Sequence, residues 1–341
     1  MAGPTRSKRT PPSLPMADAG KRSAANVAIT LNAVFFAMDG ERPQVLSILE
    51  QGDQFSLPYG LFHPDRHRTF EIGVREWVER QTHLSLGHIE QLYTFGDMGR
   101  EAPMRDGDDE GGDERIVSVG YLALANAPAP LEEGQAAWRD WYSFFPWEDW
   151  RTGQPESLST VILPALDAWA DEAPSRALKQ ARASRINIAF GRGEFLWEEP
   201  RILERYELMY EAQLVRESVA ADNATGKTGA AMIADHRRIL ATAIGRVRGK
   251  LRYRPIIFEM TPTEFTLFQL QRIAEAIVGF PFHKQNFRRS VENSGLVERT
   301  GAMAEQTSGR PAALFQVNRN GLRDQPAKGL AFPQFRRSLH D

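Results

Sequence analysis

The 341-residue sequence predicts an α+β protein in which a sheet-containing domain with a helical insertion precedes a smaller C-terminal domain. Three observations predict this organisation. Runs of β-branched and aromatic residues, typical of strands, occur between residues 27 and 125. Apolar residues at helical spacing dominate from about 161 to 250. A second pair of helical patterns, followed by a possible hairpin, closes the chain between 266 and 317.

The elements of the first domain follow from composition and periodicity. Strands are expected over residues 27–36, 44–49, 89–95 and 116–125. Helices are expected over residues 69–84, 161–182, 198–220 and 231–248. Residues 101–114 hold seven acidic side chains with Gly and Pro, which predicts a solvated loop. Residues 126–160 contain four tryptophans, which we expect to pack in the core. A short strand is expected at Pro255–Met260, where this domain would end.

Composition and charge restrict the class of protein. The absence of cysteine excludes disulfides, thiolate zinc sites and cysteine nucleophiles. No apolar run is long enough to span a bilayer and the N-terminus lacks the apolar core of a secretory signal, so a cytoplasmic protein with no membrane association is expected.

The formal net charge of −2 conceals an uneven distribution. Residues 1–26 carry five basic and one acidic residue, residues 281–341 carry ten and five, and residues 27–280 carry 27 and 38. Basic ends favour a polyanionic partner, although basic termini also arise by chance. Residues 1–26 are expected to form a disordered basic arm and residues 321–341 a flexible basic tail.

The C-terminal pattern predicts a winged helix-turn-helix. Thr266 and Gln269 fit a capping box at the start of a helix that ends at Gly279. A short turn over residues 279–282 leads to a second helix at about 283–293. The segments Leu296-Val297 and Ala313–Val317 can pair as a hairpin, with Arg310-Pro311 near its base.

Side chains suited to DNA cluster in this domain. A helix fits the major groove, where Arg can bridge guanine acceptors and Asn or Gln can bridge adenine, while Lys and Arg on flanking turns neutralise phosphates. The predicted DNA-binding residues are Thr266, Lys284, Gln285, Asn286, Arg288, Arg289 and Arg310. The alternative is a small helical domain whose basic face is only solvated.

Residues 60–84 resemble the Nudix box, a helix that supplies carboxylates to a divalent metal. The match is Arg75-Glu76-Trp77-Val78-Glu79. Arg80 stands where a second glutamate is expected, and His67 stands at the position of the upstream glutamate. Because a guanidinium repels a cation and suits a phosphate oxygen, this pattern favours binding of a nucleotide diphosphate without its cleavage.

A Nudix-like domain followed by a winged helix resembles the Nudix-related transcriptional regulators of NAD metabolism. Further resemblance lies in Arg115–Tyr121 and in Phe265-Thr266-Leu267 through Arg289. The additional length at about 130–230, including Leu203–Leu208, is more similar to the longer NadQ-type branch.

The resemblance implies a Nudix-like α/β/α sandwich with a mixed sheet and a helical insertion over residues 27–254, then a winged helix over 255–320. It implies a homodimeric repressor of NAD biosynthesis genes that binds double-stranded operator DNA and senses NAD, ADP-ribose or ATP. No cofactor, metal or catalytic residue is expected. The residues predicted to line the nucleotide pocket are Arg75, Glu76, Glu79, Arg80, Arg100 and Arg115.

The alternative is an active Nudix hydrolase of NAD or ADP-ribose with an accessory C-terminal domain. Glu76 and Glu79 are retained, and one of them could act as a base while the other holds metal. Replacement of the second metal carboxylate by Arg80 counts against it.

Overall fold

The computed structural model describes residues 27–100, 115–132, 134–218, 226–304 and 311–324. The strands are β1 (Val27–Asp39), β2 (Arg42–Leu49), β3 (Phe55–Ser56), β4 (Tyr59–Leu61), β5 (Ile89–Phe95), β6 (Arg115–Leu124), β7 (Ala136–Asp140), β8 (Glu264–Phe265), β9 (Val297–Met303) and β10 (Ala313–Val317). The helices are α1 (Phe70–Thr82), α2 (Leu163–Asp171), α3 (Arg176–Phe190), α4 (Ile202–Glu211), α5 (His236–Lys250), α6 (Leu267–Val278), α7 (Lys284–Ser294) and α8 (Arg319–Asp324). The predicted N-terminal arm, the acidic loop 101–114 and residues beyond 324 lie outside the described residues.

Within the described residues, the first domain contains a seven-stranded mixed sheet. Its main order is β3-β2-β1-β6-β5, and β4 and β7 pair with β1 and β2. The long strand β1 runs parallel to β6 and antiparallel to β2 and β4. We call the part of the chain from β1 to α5 the sheet domain.

Alternate side chains of β1 point to opposite faces of the sheet. Both sets include buried apolar residues, and helices pack on both faces. On one face, Leu31 and Phe35 lie in a buried cluster with Val74 and Val78 of α1. On the other, Val34 and Phe36 lie in a cluster that includes Ile239 and Leu240 of α5. The predicted α/β/α sandwich with a mixed sheet is therefore confirmed.

The segment between β7 and α5 supplies a helical and aromatic core. Trp141, Phe144 and Trp147 are fully buried, as predicted for the tryptophan-rich segment. The helix expected over 161–182 is instead two helices, α2 and α3, because Pro174 disfavours helical backbone at the residue before it and Ser175 caps α3 through the backbone N–H of Leu178.

The strand predicted at Pro255–Met260 is wrong, since Ile256–Met260 forms a 3-10 helix. The side chains of Ile256, Ile257 and Met260 are buried at helical spacing, and the hydroxyl of Thr261 donates to the carbonyl of Ile257 at 2.8 Å. Composition alone cannot distinguish so short an apolar run from a strand.

The C-terminal elements form the predicted winged helix. The capping box is present: the N–H of Gln269 donates to the Thr266 hydroxyl at 3.1 Å, and the N–H of Thr266 donates to the Gln269 side chain at 2.8 Å. Gly279 and Gly295 end α6 and α7 in the left-handed conformation, with φ of 87° and 71°. Strands β8, β10 and β9 form the wing sheet, in which Pro311 lies toward the tip of the hairpin and not at its base.

No helix in the described ranges is both long and apolar enough to cross a membrane.

Candidate functional site

Helix α7 presents a basic face to solvent. Phe287 and Val291 are buried and anchor the helix, and the ring of Phe287 stacks on Phe282 with centroids 5.7 Å apart. The predicted DNA-binding side chains of this helix are all exposed: Lys284, Gln285, Asn286, Arg288 and Arg289. Among the described residues, none of its three cations forms an ion pair, so their charge is available to a polyanion.

A cleft of about 300 Å³ lies between α7, the start of α6 and the wing. Thr266 and Arg288 both line it, but the Thr266 side chain is buried and its hydroxyl is used in the capping box. Arg310 lies outside the described residues. The cleft also contains Arg299, whose guanidinium lies 5.6 Å from the Phe315 ring, and the half-exposed Phe268, two residues that the sequence analysis did not select.

Helix α1 is fastened to strand β4 by specific contacts. A Cβ at Gly60 would lie 2.1 Å from the indole of Trp77, so the approach of helix and strand requires glycine. The Trp77 indole N–H donates to the carbonyl of Leu61 at 2.8 Å. The side chain of Gln81 bonds both the N–H and the carbonyl of Tyr59, at 3.0 and 2.8 Å.

Of the predicted pocket residues, Arg75, Glu76, Glu79 and Arg80 lie together on α1. The guanidinium of Arg75 bonds Glu71 and the carbonyls of the loop after α1, including that of Gly87 at 2.8 Å. Arg75 therefore links the middle of α1 to the loop that follows the helix. Arg80 is exposed and its guanidinium stacks 4.7 Å from the Trp77 ring.

The carboxylate of Glu76 has a buried histidine as its partner. Nε2 of His67 lies 3.2 Å from Oε2 of Glu76, and Nδ1 of His67 accepts the N–H of His63 at 3.0 Å. Because Nδ1 accepts, a neutral ring carries its proton on Nε2 and donates to Glu76. Among the described residues, no group of three or more His, Asp or Glu side chains could hold a metal ion.

The other two predicted pocket residues lie elsewhere. Arg115, at the start of β6, donates to the carbonyl of Gly96 at 2.5 Å. Arg100 pairs with Glu207 of α4 at 3.0 Å and with Asp235 at 2.9 Å, and none of its described contacts joins it to α1. Sequence analysis could not anticipate this, because the ion pairs span more than 100 positions.

Asp235 belongs to a partly buried ion network that also contains Arg238. Arg238 pairs with Asp235 at 3.3 Å and with Glu207 at 2.8 Å. Burial raises the pKa of Asp235 to about 6, although Arg100 and Arg238 oppose the shift. Nδ1 of the adjacent His236 accepts the N–H of Leu57 at 2.9 Å.

A second group of polar residues, missed by the sequence analysis, lies in the sheet. Thr30 and Ser118 share a hydrogen bond of 2.8 Å, and Asn32 is 1% exposed with no hydrogen-bond partner for its amide among the described residues. Burial raises the pKa of the neighbouring Tyr59 to about 12. The signal in the sequence is the pair of polar residues at alternate positions of an otherwise apolar strand.

The C-terminal domain is similar to a known family of DNA-binding domains. Residues 257–317 match the family model of the NrtR DNA-binding winged helix domain. The chain is 38% identical over 82 residues to the ADPR responsive transcriptional repressor NtrR of Acinetobacter baylyi, a match that covers 24% of this chain and 32% of that protein. The match thus spans about a third of the length of the curated relative.

Two solved structures are similar over most of the chain. They are the Shewanella oneidensis NrtR complexed with a 27mer DNA (TM-score 0.49, 18% identity, 90% of this chain and 99% of that chain) and a MutT/nudix family protein from Enterococcus faecalis (TM-score 0.47, 15% identity, 90% and 89%). The helix, turn, helix and wing described above thus lie within residues 257–317, the segment of this chain that matches the NrtR DNA-binding winged helix family.

Proposed function

We propose that this protein is a nucleotide-responsive transcriptional repressor of NAD biosynthesis genes. The proposal takes residues 27–254 as the effector-binding domain, with the insertion at about 130–230, and residues 255–320 as the DNA-binding domain. The observation that carries it is the exposed basic face of α7 in a winged helix of the NrtR family. The resemblance of the sheet domain to Nudix proteins supports the nucleotide-sensing part.

In this proposal α7 is the recognition helix and enters the major groove. Gln285 and Asn286 at its start offer donor–acceptor pairs to base edges, and Arg288 and Arg289 can contact guanine or phosphate. Arg299 lies across the cleft on the wing, where a cation can contact the adjacent phosphates. A homodimer in the cytoplasm is proposed, because repressors with such helices bind two-fold related half-sites.

The effector is proposed to be an adenine nucleotide bound near α1. ADP-ribose is the first candidate, since the curated relative is an ADPR responsive repressor, and NAD and ATP are the others. Arg80 offers an exposed guanidinium to a diphosphate, and it extends from the same helix as Glu76 and Glu79. The buried amide of Asn32 supplies an unused donor and acceptor, which suits a further polar contact.

A mobility-shift assay with the DNA upstream of the protein's own gene and of NAD biosynthesis genes tests this function. The protein is expected to retard that DNA, and one of ADP-ribose, NAD and ATP, titrated separately, is expected to change the operator Kd by at least about fivefold, the range of typical allosteric coupling. Unrelated DNA of equal length and an Arg176→Ala variant, which removes an exposed arginine from α3, are the controls. Equal affinity for operator and unrelated DNA at matched salt would contradict the proposal.

A hydrolase is the second candidate, because Glu76 and Glu79 are retained on α1. We propose binding without cleavage, since His67 donates to Glu76 and Arg80 places a positive charge beside the metal position. Incubation with Mg²⁺ or Mn²⁺ and with NAD or ADP-ribose tests this choice. Turnover that is lost in Glu79→Gln would favour the hydrolase.

A further inference from the structure

The C-terminal end of α6 lies against the sheet domain instead of in solvent. The last carbonyl groups of a helix have no partner within the helix and need donors from elsewhere. Two terminal carbonyls of α6 and the carbonyl of Gly279, which ends the helix, accept hydrogen bonds from the sheet domain: Ala276 from Oη of Tyr142 at 2.7 Å, Ile277 from Nε of Arg248 at 3.0 Å, and Gly279 from the backbone N–H of Trp150 at 2.7 Å. The first helix of the helix-turn-helix is therefore capped by the preceding domain.

The donors are held by a buried charge cluster. The Glu148 carboxylate binds Arg205 through bonds of 2.5 and 2.8 Å and binds Arg248 through a bond of 2.6 Å. All three side chains are at most 2% exposed. Burial alone would raise the pKa of Glu148, but Arg205 and Arg248 together hold it below its usual value.

This cluster favours the docked position of α6 electrostatically. One carboxylate and two guanidinium groups leave an excess of one positive charge. Arg248 brings that excess to the C-terminal end of α6, where the helix dipole is negative. We call Tyr142, Glu148, Arg205 and Arg248 the interdomain clamp.

The two domains are in close contact at Gly279 and Phe280. Gly279 has a φ of 87°, and a Cβ there would lie 2.4 Å from the carbonyl oxygen of Glu148. The ring of Phe280 stacks on Trp150 with centroids 5.3 Å apart and an interplanar angle of 21°. Separation of the domains at this point would break the capping bonds and expose the stacked rings together.

From these contacts we propose that the sheet domain and the helix-turn-helix of one chain move as a single rigid body, locked by the interdomain clamp. An effector then changes DNA binding by moving whole chains of the dimer relative to each other, and no hinge opens between the domains of a chain. This inference rests on the proposed function for its regulatory part. The junction itself stands on the described contacts.

An engineered crosslink tests for a hinge. Glu41, in the turn between β1 and β2, forms an ion pair of 2.8 Å with Arg272 of α6 across the same junction. Because the chain has no cysteine, a short bismaleimide would join only the two new thiols of an E41C/R272C variant. The crosslinked protein is expected to keep the operator Kd, and the change in that Kd caused by ADP-ribose, within about twofold of the uncrosslinked variant. Loss of the ADP-ribose response on crosslinking would overturn the proposal.

A minimal change loosens the clamp. Tyr142→Phe keeps the ring and removes the hydroxyl that bonds the Ala276 carbonyl. We expect faster amide exchange at Gly279, Phe280 and Phe282 and an ADP-ribose effect on operator Kd that falls by at least about twofold, the equilibrium effect of one hydrogen bond. The Kd for ADP-ribose itself should not change. The matched control is Tyr253→Phe, which alters an exposed tyrosine in the turn that follows α5.

The outcomes separate the two proposals. Faster exchange with an unchanged ADP-ribose response would show that the clamp stabilises the fold without transmitting the signal, and it would overturn the inference. Unchanged exchange in Tyr142→Phe would overturn the clamp itself. If the unmodified protein shows no response to any nucleotide, the proposed function fails, and the exchange measurement still decides whether the junction is rigid.

Discussion

Removal of the buried carboxylate of Glu148 should destabilise the protein far more than removal of a surface carboxylate that also binds arginine. In Glu148→Gln, the Arg205 and Arg248 guanidinium groups stay buried and lose three charge-assisted hydrogen bonds of 2.5–2.8 Å. Breaking a buried ion pair by removing one partner costs about 3–5 kcal/mol, because a charge is left without compensation. Because one carboxylate binds two guanidinium groups, we expect Glu148→Gln to lower the free energy of unfolding by about 4 kcal/mol.

The control is Glu211→Gln, which removes the carboxylate of an exposed pair. Arg185 binds Glu211 at 2.7 and 2.5 Å, a geometry as favourable as that of Glu148, but the two side chains are 48% and 40% exposed. Exposed ion pairs contribute about 0–1 kcal/mol. Urea unfolding of both variants at pH 7, followed by fluorescence, measures the contrast, which reflects the burial of Glu148 together with its second arginine partner.

The pH dependence gives an independent check. The folded pKa of Glu148 lies below its usual value of 4.5, so its contribution is fully present above that pH and is lost as the pH falls through the folded pKa. The stability difference between the protein and Glu148→Gln should be constant from about pH 6 to 8 and should shrink below pH 4.5. Equal urea midpoints for Glu148→Gln and Glu211→Gln at pH 7 would refute the reasoning.

Three further predictions concern the interface, the pocket and the ion network. Arg288→Ala and Arg289→Ala should each weaken operator binding and lower the slope of log K against log salt by about one, and slopes equal to that of the unchanged protein would exclude these residues from the interface. Arg80→Glu should weaken the nucleotide response but not DNA binding; an unaltered effector titration would remove Arg80 from the pocket. Because the pKa of Asp235 is raised to about 6, its protonation favours the folded state, so the protein should gain thermal stability as pH falls from 7 to 5. In Asp235→Asn this gain should disappear, and its persistence would assign it to another group.

The winged helix could be predicted because its signals are local. The capping box of Thr266 and Gln269 spans four residues, and Gly279 and Gly295 follow directly on the helices that they end. A helix start and a helix end each depend on side chains within one turn, so a single sequence contains them. Helix α1 was predictable for the same reason, since Thr69 caps its first turn.

The clamp could not be predicted, because its contacts connect distant parts of the chain. Glu148 and Arg205 lie 57 positions apart, and Glu148 and Arg248 lie 100 positions apart. A glutamate between two tryptophans, or an arginine in a helical pattern, is typical of a solvated side chain in sequence alone. Arg100 shows the converse: its residue type suits a phosphate, but the fold pairs it with Glu207 and Asp235.

The buried arginines also change the interpretation of the acidic middle of the chain. Residues 27–280 carry 27 basic and 38 acidic side chains, yet Arg205, Arg237 and Arg248 are at most 2% exposed and bind the buried carboxylates Glu148 and Glu217. The charges of these three arginines are paired inside the protein, so the remaining side chains of residues 27–280 carry the acidic excess. If DNA is the partner, as proposed, an acidic surface would repel it and the exposed cations of α7 would attract it, so this charge distribution would favour its approach to the winged helix. Because these three arginines are buried with two carboxylates, Glu148 and Glu217, their burial removes one more basic than acidic charge from the surface of this part of the chain.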